Sequence, residues 1–402
     1  MKSKYSRVVA RVGGAIIFIL MAFPLFVFSQ SGENTIILDT SVFTDNNIDC
    51  IGNEFPMFIN NDTLYFLNPK EFKKDKYNIK VHGFDIKANK YFYFTIHIDK
   101  KDKYFKDSRI DISSLFVRGN RIYFNAFERI YVFNRNEDGD YVFDKIINNN
   151  KKFYSSDPYL LPNGNILFYK HYIAHKEDIE KSTSWHLYSL DKEEIITEIQ
   201  YLDCPNPILT YFSPNEIMTY NNDNIFYSPA SEYKIRIYDF DLNPVDSISL
   251  EKKHWSKIDT KKELKVLNKS IHAMERMNAF SDYLYESTSV ILHLYASDNY
   301  LIVFYRNIIK GKAAYLYDIW KKDDGKWALL EEGADDSLKD EENRLLPFKK
   351  IILKDDNIIR ISPRHSLKRG DYNSDGEYYK AVDKYTIEND CILAIEKLYF
   401  TR

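Results

Sequence analysis

Six times along this chain an aliphatic–aromatic run follows a tight polar turn. The runs are Leu64-Tyr65-Phe66, Ile122-Tyr123-Phe124, Ile166-Leu167-Phe168, Ile225-Phe226-Tyr227, Leu301-Ile302-Val303-Phe304 and Ile358-Ile359. Each is followed by a second strand-like run: Phe84-Asp85, Tyr131-Val132-Phe133-Asn134, Tyr188-Ser189-Leu190-Asp191, Tyr238-Asp239-Phe240-Asp241, Tyr317-Asp318-Ile319 and Tyr385-Thr386-Ile387-Glu388. One small sheet cannot bury both of its faces alone, so a repeat made only of strands calls for a ring of sheets. The sequence therefore predicts an all-β fold, a six-bladed β-propeller of four-stranded antiparallel blades.

The turns carry the same period. Asn60-Asn61-Asp62, Gly119-Asn120, Asn163-Gly164, Asn222-Asp223, Asp298-Asn299 and Asp355-Asp356-Asn357 each precede a run of the first set. Glu137-Asp138-Gly139, Asn243-Pro244, Asp323-Asp324-Gly325 and Asn389-Asp390 punctuate the second strand pairs. Asn, Asp and Gly tolerate positive φ or bond to their own backbone, as hairpin turns require. Blades are expected over 55–98, 113–147, 157–200, 213–250, 287–331 and 348–399. The longest interval, from Ile225 to Leu301, holds the one stretch with helical period. There Thr260-x-x-Glu263 forms a capping box, and Leu264, Leu267, Ile271 and Met274 share a face. This predicts a helical insertion near 259–281. As a lid it would gate ligand access; as a strut, the preferred reading, it would bury those four side chains against the blades. The early run Thr35-Ile36-Ile37-Leu38 is left over. It is expected to pair with the last blade and close the ring, with Cys391–Phe400 competing for the outer position.

The N-terminus has the pattern of an export signal. Lys2, Lys4, Arg7 and Arg11 precede an uncharged apolar stretch, and Val27-Phe28-Ser29 offers a cleavage site before Gln30. Residues 1–29 are therefore expected to be a signal peptide and 30–402 the propeller, exported to the periplasm or cell surface. If the segment stayed uncleaved it would anchor the chain in a membrane. No cysteine closely follows the apolar run, which argues against a lipid anchor. A net charge of −3, from 56 basic and 59 acidic residues, excludes a general electrostatic grip on nucleic acid. Cys50, Cys204 and Cys391 are too few and too scattered for a disulfide framework. The 32 Tyr and 27 Phe suit pleated surfaces. A/T-rich coding favours the same residues, so they are no evidence for sugar stacking.

In a four-stranded blade, the first and third connections share one rim of the ring; the second connections and the links between blades share the other. The sequence puts tight turns on the first rim. It puts its long segments on the second, at 68–78, 170–184, 306–312 and 362–379, with links at 100–113, 202–213, 251–286 and 333–347. Long loops on a rigid scaffold are the default place for function. Four constellations lie there. Asp371-x-Asn373-x-Asp375-Gly376 has the opening spacing of a Ca²⁺ loop, but Val382 stands where an EF-hand needs its bidentate acid. A shortened Ca²⁺ site of Asp371, Asn373 and Asp375 competes with a solvated polar turn. His171-x-x-x-His175 lacks a third Zn²⁺ ligand at a motif spacing. His293 sits in an innermost-strand candidate, with its ring a candidate for the channel. Arg364, His365, Lys368 and Arg369, with Lys310 and Lys312 one blade earlier, could favour an anionic ligand, although Asp371, Asp375 and Glu377 partly cancel them. The candidate ligand-binding residues are thus His293, Arg364, His365 and Arg369. No nucleophile elbow, phosphate loop, HExxH helix or dinucleotide fingerprint is present.

The segment Ser228-Pro229-Ala230-Ser231-Glu232-Tyr233-Lys234-Ile235-Arg236-Ile237-Tyr238-Asp239, with its five counterparts, resembles exported bacterial six-bladed propellers of the TolB-like and NHL-like kind. The resemblance covers roughly 50–400, and its motifs are structural. It implies binding and assembly roles or, in some members, lyase or lactonase chemistry; neither follows from fold alone. The expected function is a non-catalytic exported propeller binding a protein or saccharide partner of the cell envelope through its long-loop rim, without a cofactor other than the Ca²⁺ considered above. The alternative is a propeller enzyme acting on an anionic saccharide or lactone in the central funnel, with a metal there and His293 or His365 as base.

Overall fold

The computed structural model describes residues 36–39, 57–60, 62–67, 77–88, 90–99, 112, 114–126, 129–148, 159–171, 183–200, 218–228, 232–256, 288–335, 350–354, 357–364, 367, 371–372, 377, 380–381, 384 and 392–400. These form twenty-four strands in six four-stranded antiparallel sheets. The first strand, β1 (Ile36–Asp39), belongs to the last sheet. The first sheet is β2 (Met57–Asn60), β3 (Thr63–Leu67), β4 (Asn78–Asp85) and β5 (Lys90–His97). The second is β6 (Ser114–Arg118), β7 (Arg121–Ala126), β8 (Arg129–Arg135) and β9 (Tyr141–Asn148). The third is β10 (Tyr159–Leu160), β11 (Asn165–His171), β12 (Thr183–Ser189) and β13 (Glu194–Gln200). The fourth is β14 (Met218–Tyr220), β15 (Ile225–Tyr227), β16 (Lys234–Tyr238) and β17 (Pro244–Ser249). The fifth is β18 (Val290–Ala296), β19 (Tyr300–Ile309), β20 (Lys312–Asp323) and β21 (Lys326–Asp335). The sixth runs β22 (Lys350–Lys354), β23 (Asn357–Arg364), β24 (Ile392–Phe400) and then β1.

Strands buried on both faces explain the unbroken apolar runs of the sequence. On β8, Tyr131 and Phe133 pack towards the first sheet, while Ile130 and Val132 pack towards the third. On β19, Leu301, Val303 and Tyr305 face the fourth sheet, and Ile302 and Phe304 face the other way, with Leu353 of the sixth. Period-two alternation thus sends alternate side chains into two different cores. Sheets stacked face to face in chain order, with β2 beside β6, β14 beside β18 and β18 beside β22, make a β-propeller arrangement.

Polar side chains on the tight turns tie neighbouring sheets together at three junctions. Asn60 Nδ2 donates to Val117 O (3.0 Å), from the first sheet to the second. Arg118 Nη1 donates to Gly164 O (3.3 Å), from the second to the third. Asn221 Nδ2 donates to Ser297 O (3.1 Å), from the fourth to the fifth, where Asn222 also donates to both oxygens of Asp298. Residues whose composition predicts turns therefore also fix the angle between neighbouring sheets.

One reading of the sequence needs correction. The segment 306–312 is not a long loop: β19 and β20 continue to Ile309 and Lys312, joined by Lys310 (φ 50°) and Gly311 (φ 75°). Two successive residues at positive φ make the two-residue turn whose twist matches the strands. Of the acids in the second-set runs, Asp85, Asp191 and Asp239 stand at strand ends or turns, and Asp318 differs. Asp318 lies in the middle of β20, and Asp323 stands at the turn. The outer position of the sixth sheet is filled by β1, whose residues Ile36, Ile37, Leu38 and Asp39 pair with Phe400, Tyr399, Leu398 and Lys397; β24 is the third strand. The signal segment 1–29 and the helical insertion near 259–281 lie outside the described residues. Among the described residues, helical backbone occurs at Glu377, Lys380, Ala381 and Lys384, and no helix is long and apolar enough to cross a membrane.

Candidate functional site

Among the described residues, the largest concentration of buried charge lies between the fourth and fifth sheets, at the rim that carries the links. Period-two alternation puts Leu316, Asp318 and Trp320 of β20 on the face turned to the fourth sheet, so an acid enters an apolar interface. Asp318 is 0% exposed. An ionised carboxylate there persists only with partners for both oxygens. Oδ1 accepts the Tyr305 hydroxyl (3.1 Å) and the Gly333 N–H (2.7 Å). Oδ2 accepts the Tyr233 hydroxyl and the Lys252 ammonium (2.6 Å). Trp320 Nε1 donates in turn to the Tyr233 oxygen (3.1 Å).

Lys252 reaches this carboxylate from the strand-leaving segment after β17. Its Nζ also bonds Glu332 Oε1 (3.1 Å) and lies over the rings of Tyr233 (4.9 Å) and Tyr305 (4.8 Å). Trp255 packs edge-on against Tyr233 (5.9 Å) and tilted against Tyr305 (6.0 Å). Each oxygen of Asp318 thus has two donors, and the arrangement locks the two sheets together. Its chemistry is to pin the start of the 250–289 connection to both sheets.

Burial first, and then the negative charge of Asp318, holds the phenols of Tyr233 and Tyr305 well above their ordinary value. Both therefore stay protonated and donate. Burial pushes Tyr220 up to about 12, and burial with the nearby Glu193 charge does the same for Tyr188. A phenol held more tightly in the folded chain contributes stability below the unfolded pKa of about 10, and that contribution is lost as pH rises above it. The urea midpoint is therefore expected to hold between pH 7 and 9 and to fall steeply towards pH 11.5, with a shallower fall in Tyr233→Phe. A midpoint indifferent to alkali would remove this account of the cluster.

The sequence did not point to this group, because Tyr317-Asp318-Ile319 reads as one more strand run of the second set. The available signal was a lone acid flanked at two-residue spacing by Leu316 and Trp320. Of the residues singled out beforehand, His293 lies on β18, half-buried and stacked parallel on Tyr295 (ring centroids 6.0 Å, 12°). The strand bulges between Ile291 and His293, and His293 pairs with Phe304. It shares a face with Tyr295, which packs beside the core that includes Leu353, so it looks towards the sixth sheet rather than along the ring axis. Arg364 ends β23, paired in register with Ile392, on the long-connection rim. Asp371 is exposed. His365, Arg369, Asn373, Asp375 and His175 lie outside the described residues, as does the side chain of His171. Among the described residues, no three His, Cys, Asp or Glu side chains are grouped to hold a metal ion.

No known protein family and no curated protein matches the sequence. Solved structures are similar at low identity. A member of the DUF4221 family from Bacteroides vulgatus is 10% identical, with 92% of this chain and 99% of that chain covered and a TM-score of 0.48. The β-propeller domain of the Trilobed protease from Pyrococcus furiosus is 8% identical over 78% of each chain, with a TM-score of 0.36. A protein of unknown function from Bacteroides caccae is 8% identical over 70% of this chain and 78% of that one, with a TM-score of 0.34. The propeller assignment rests on the sheets themselves.

Proposed function

We propose that this chain is an exported, closed six-bladed propeller that binds a protein or saccharide partner through its long-connection rim and does not itself catalyse a reaction. Closure is supported by the first sheet. Leu64, Phe66, His82 and Phe84 lie on its face away from the second sheet, and all are at most 3% exposed. At the end of an open stack that face would meet water, at a cost of roughly 1.5–3 kcal/mol for each large apolar side chain. The sixth sheet is the natural cover, since the chain passes from its outer strand β1 to the inner strand β2 of the first sheet.

The observation that carries the binding reading is the asymmetry of the two rims. Among the described residues, the hairpin connections of one rim are tight turns, such as Asn120, Asn163-Gly164 and Asp324-Gly325, with Asn60, Arg118 and Asn221 cross-linking neighbouring sheets there; the segment before β1 also enters at this rim. From the other rim leave the segments 68–77, 172–182, 201–217, 257–287, 336–349 and 365–391. A rigid scaffold with its variable chain gathered at one side is built for recognition. Within that rim, the basic stretch through Arg364, His365 and Arg369 leaves directly from the end of β23 and is the preferred contact.

The test compares the two rims on one blade. A photo-crosslinking residue at Lys312 lies on the long-connection rim; the same residue at Lys326 lies on the tight-turn rim, and both positions are exposed. In cells making the full chain, a discrete adduct is expected at position 312 and none at 326. For a saccharide, a bulky label at 312 but not at 326 should abolish signal on a glycan array. Equal adducts at both positions, or blank gels and arrays throughout, would refute the reading.

A further inference from the structure

We infer that β5, the outer strand of the first sheet, is a pairing edge at which two copies of this chain join antiparallel into one continuous sheet. The ground is a comparison of the outer strands. Four of them carry an extra residue that breaks their ladder with the third strand: Asp144 in β9, Ile196 in β13, Val245 in β17 and Leu330 in β21. The same strands hold charge or proline along their length, at Asp144 and Lys145, Glu198, Pro244 and Asp246, and Glu331 and Glu332. The outer strand of the sixth sheet, β1, is only four residues long. Bulges, charges, prolines and short length are the devices that keep an edge from recruiting another chain. β5 has no bulge, no proline and no acid, and its lysine, Lys90, is its first residue. It pairs with β4 in unbroken register from Lys90 to His97, and Tyr91-Phe92-Tyr93-Phe94 fill its middle. Tyr93 is 58% exposed.

The ladder fixes which backbone groups face outward. Ile98 N donates to Tyr77 O (2.8 Å), so by alternation the N–H and C=O groups of Phe92 and Phe94 also turn to β4. Those of Tyr91, Tyr93 and Thr95 point off the sheet. A second copy meets them about a two-fold axis at Tyr93. Tyr93 then pairs with Tyr93 of the copy, Tyr91 with its Thr95 and Phe92 with its Phe94, which sets aromatic beside aromatic on one face. The same register puts Lys90 against Ile96 of the copy. It also brings Lys87, in the turn before the strand, towards Asp99 just past the end of the copy's strand, and no two like charges face each other. This charge match selects a second copy over an unrelated extended segment. The contact is a narrow ladder, so the dimer is weak and depends on concentration. It lies on the outer wall of the ring and stands independently of which rim meets a partner.

Tyr93→Cys and Val245→Cys place thiols at two outer-strand positions of equal exposure, 58% each. The full chains are purified reduced, oxidised mildly and run on non-reducing gels, with the wild type as background for Cys50, Cys204 and Cys391. The Tyr93→Cys chain is expected to collect in a band of twice the chain mass, while Val245→Cys and the wild type stay single. Light scattering over a dilution series should show the wild type passing from dimer to monomer. Tyr93→Lys sets two like charges face to face across the axis. It should need about tenfold more protein for the same dimer fraction, with an unchanged melting temperature. Equal cross-linking at positions 93 and 245, a monomer at every concentration, or a dimer that Tyr93→Lys leaves intact would overturn the proposal.

Discussion

Lys252→Met is expected to destabilise the chain by about 3–5 kcal/mol, the cost of leaving a buried carboxylate without its countercharge. Asp318 has no exposure, so water cannot replace the ammonium at 2.6 Å. Two phenols and one peptide N–H would remain to hold the negative charge. The reciprocal change, Asp318→Leu, should be comparably severe, because it leaves the Lys252 ammonium facing only the half-exposed Glu332 and orphans the Gly333 N–H. Combining the two should cost clearly less than the sum of the single losses. It should not return to the wild-type value, since the hydroxyls of Tyr233 and Tyr305 and the Gly333 N–H lose an acceptor at roughly 1–3 kcal/mol for each that stays unpaired. Urea denaturation of the four proteins measures the cycle. Single losses below about 1 kcal/mol, or strict additivity, would show that Lys252 and Asp318 do not act as one lock.

Removing β1 is the second large effect. A chain starting at residue 40 loses the strand whose four residues pair with Lys397–Phe400. About four backbone hydrogen bonds at 0.5–1.5 kcal/mol each give a direct loss on the order of 2–6 kcal/mol. The exposed edge adds a second consequence: β24 would offer its N–H and C=O groups to other chains, and edges of that kind template aggregation. Compared with a chain starting at residue 30, the shorter one should melt markedly lower and enter large species in light scattering. Equal melting temperatures and a monomeric profile for both would mean that the sixth sheet is sufficient with three strands.

How much of this was legible in the residues varies by element. The tight turns were readable because Gly164, Gly325 and Asp324 answer a local need, positive φ, that few residues meet cheaply. The strands were readable because Leu64-Tyr65-Phe66 or Leu301-Ile302-Val303-Phe304 must be buried on both faces. The hairpin at Lys310-Gly311 was misread as a loop: two lysines flanking a glycine look like any polar connection until the register of Ile309 with Lys312 is known. The interior place of Asp318 was not legible for a related reason. Tyr-Asp occurs both at the end of a third strand and in the middle of one, and only pairing tells Tyr238-Asp239 from Tyr317-Asp318.

The sequence alone settled the class of the fold and the chemistry of its turns, because periodicity, turn preference and burial on both faces are local demands written residue by residue. Only the tertiary structure decided that Lys252 meets Asp318, that Ser256 meets Ser289 and that Ile36–Asp39 completes a sheet with Phe400. Those pairings join residues far apart in the chain, and their energy comes from shared exclusion of water, a property no single stretch of sequence possesses.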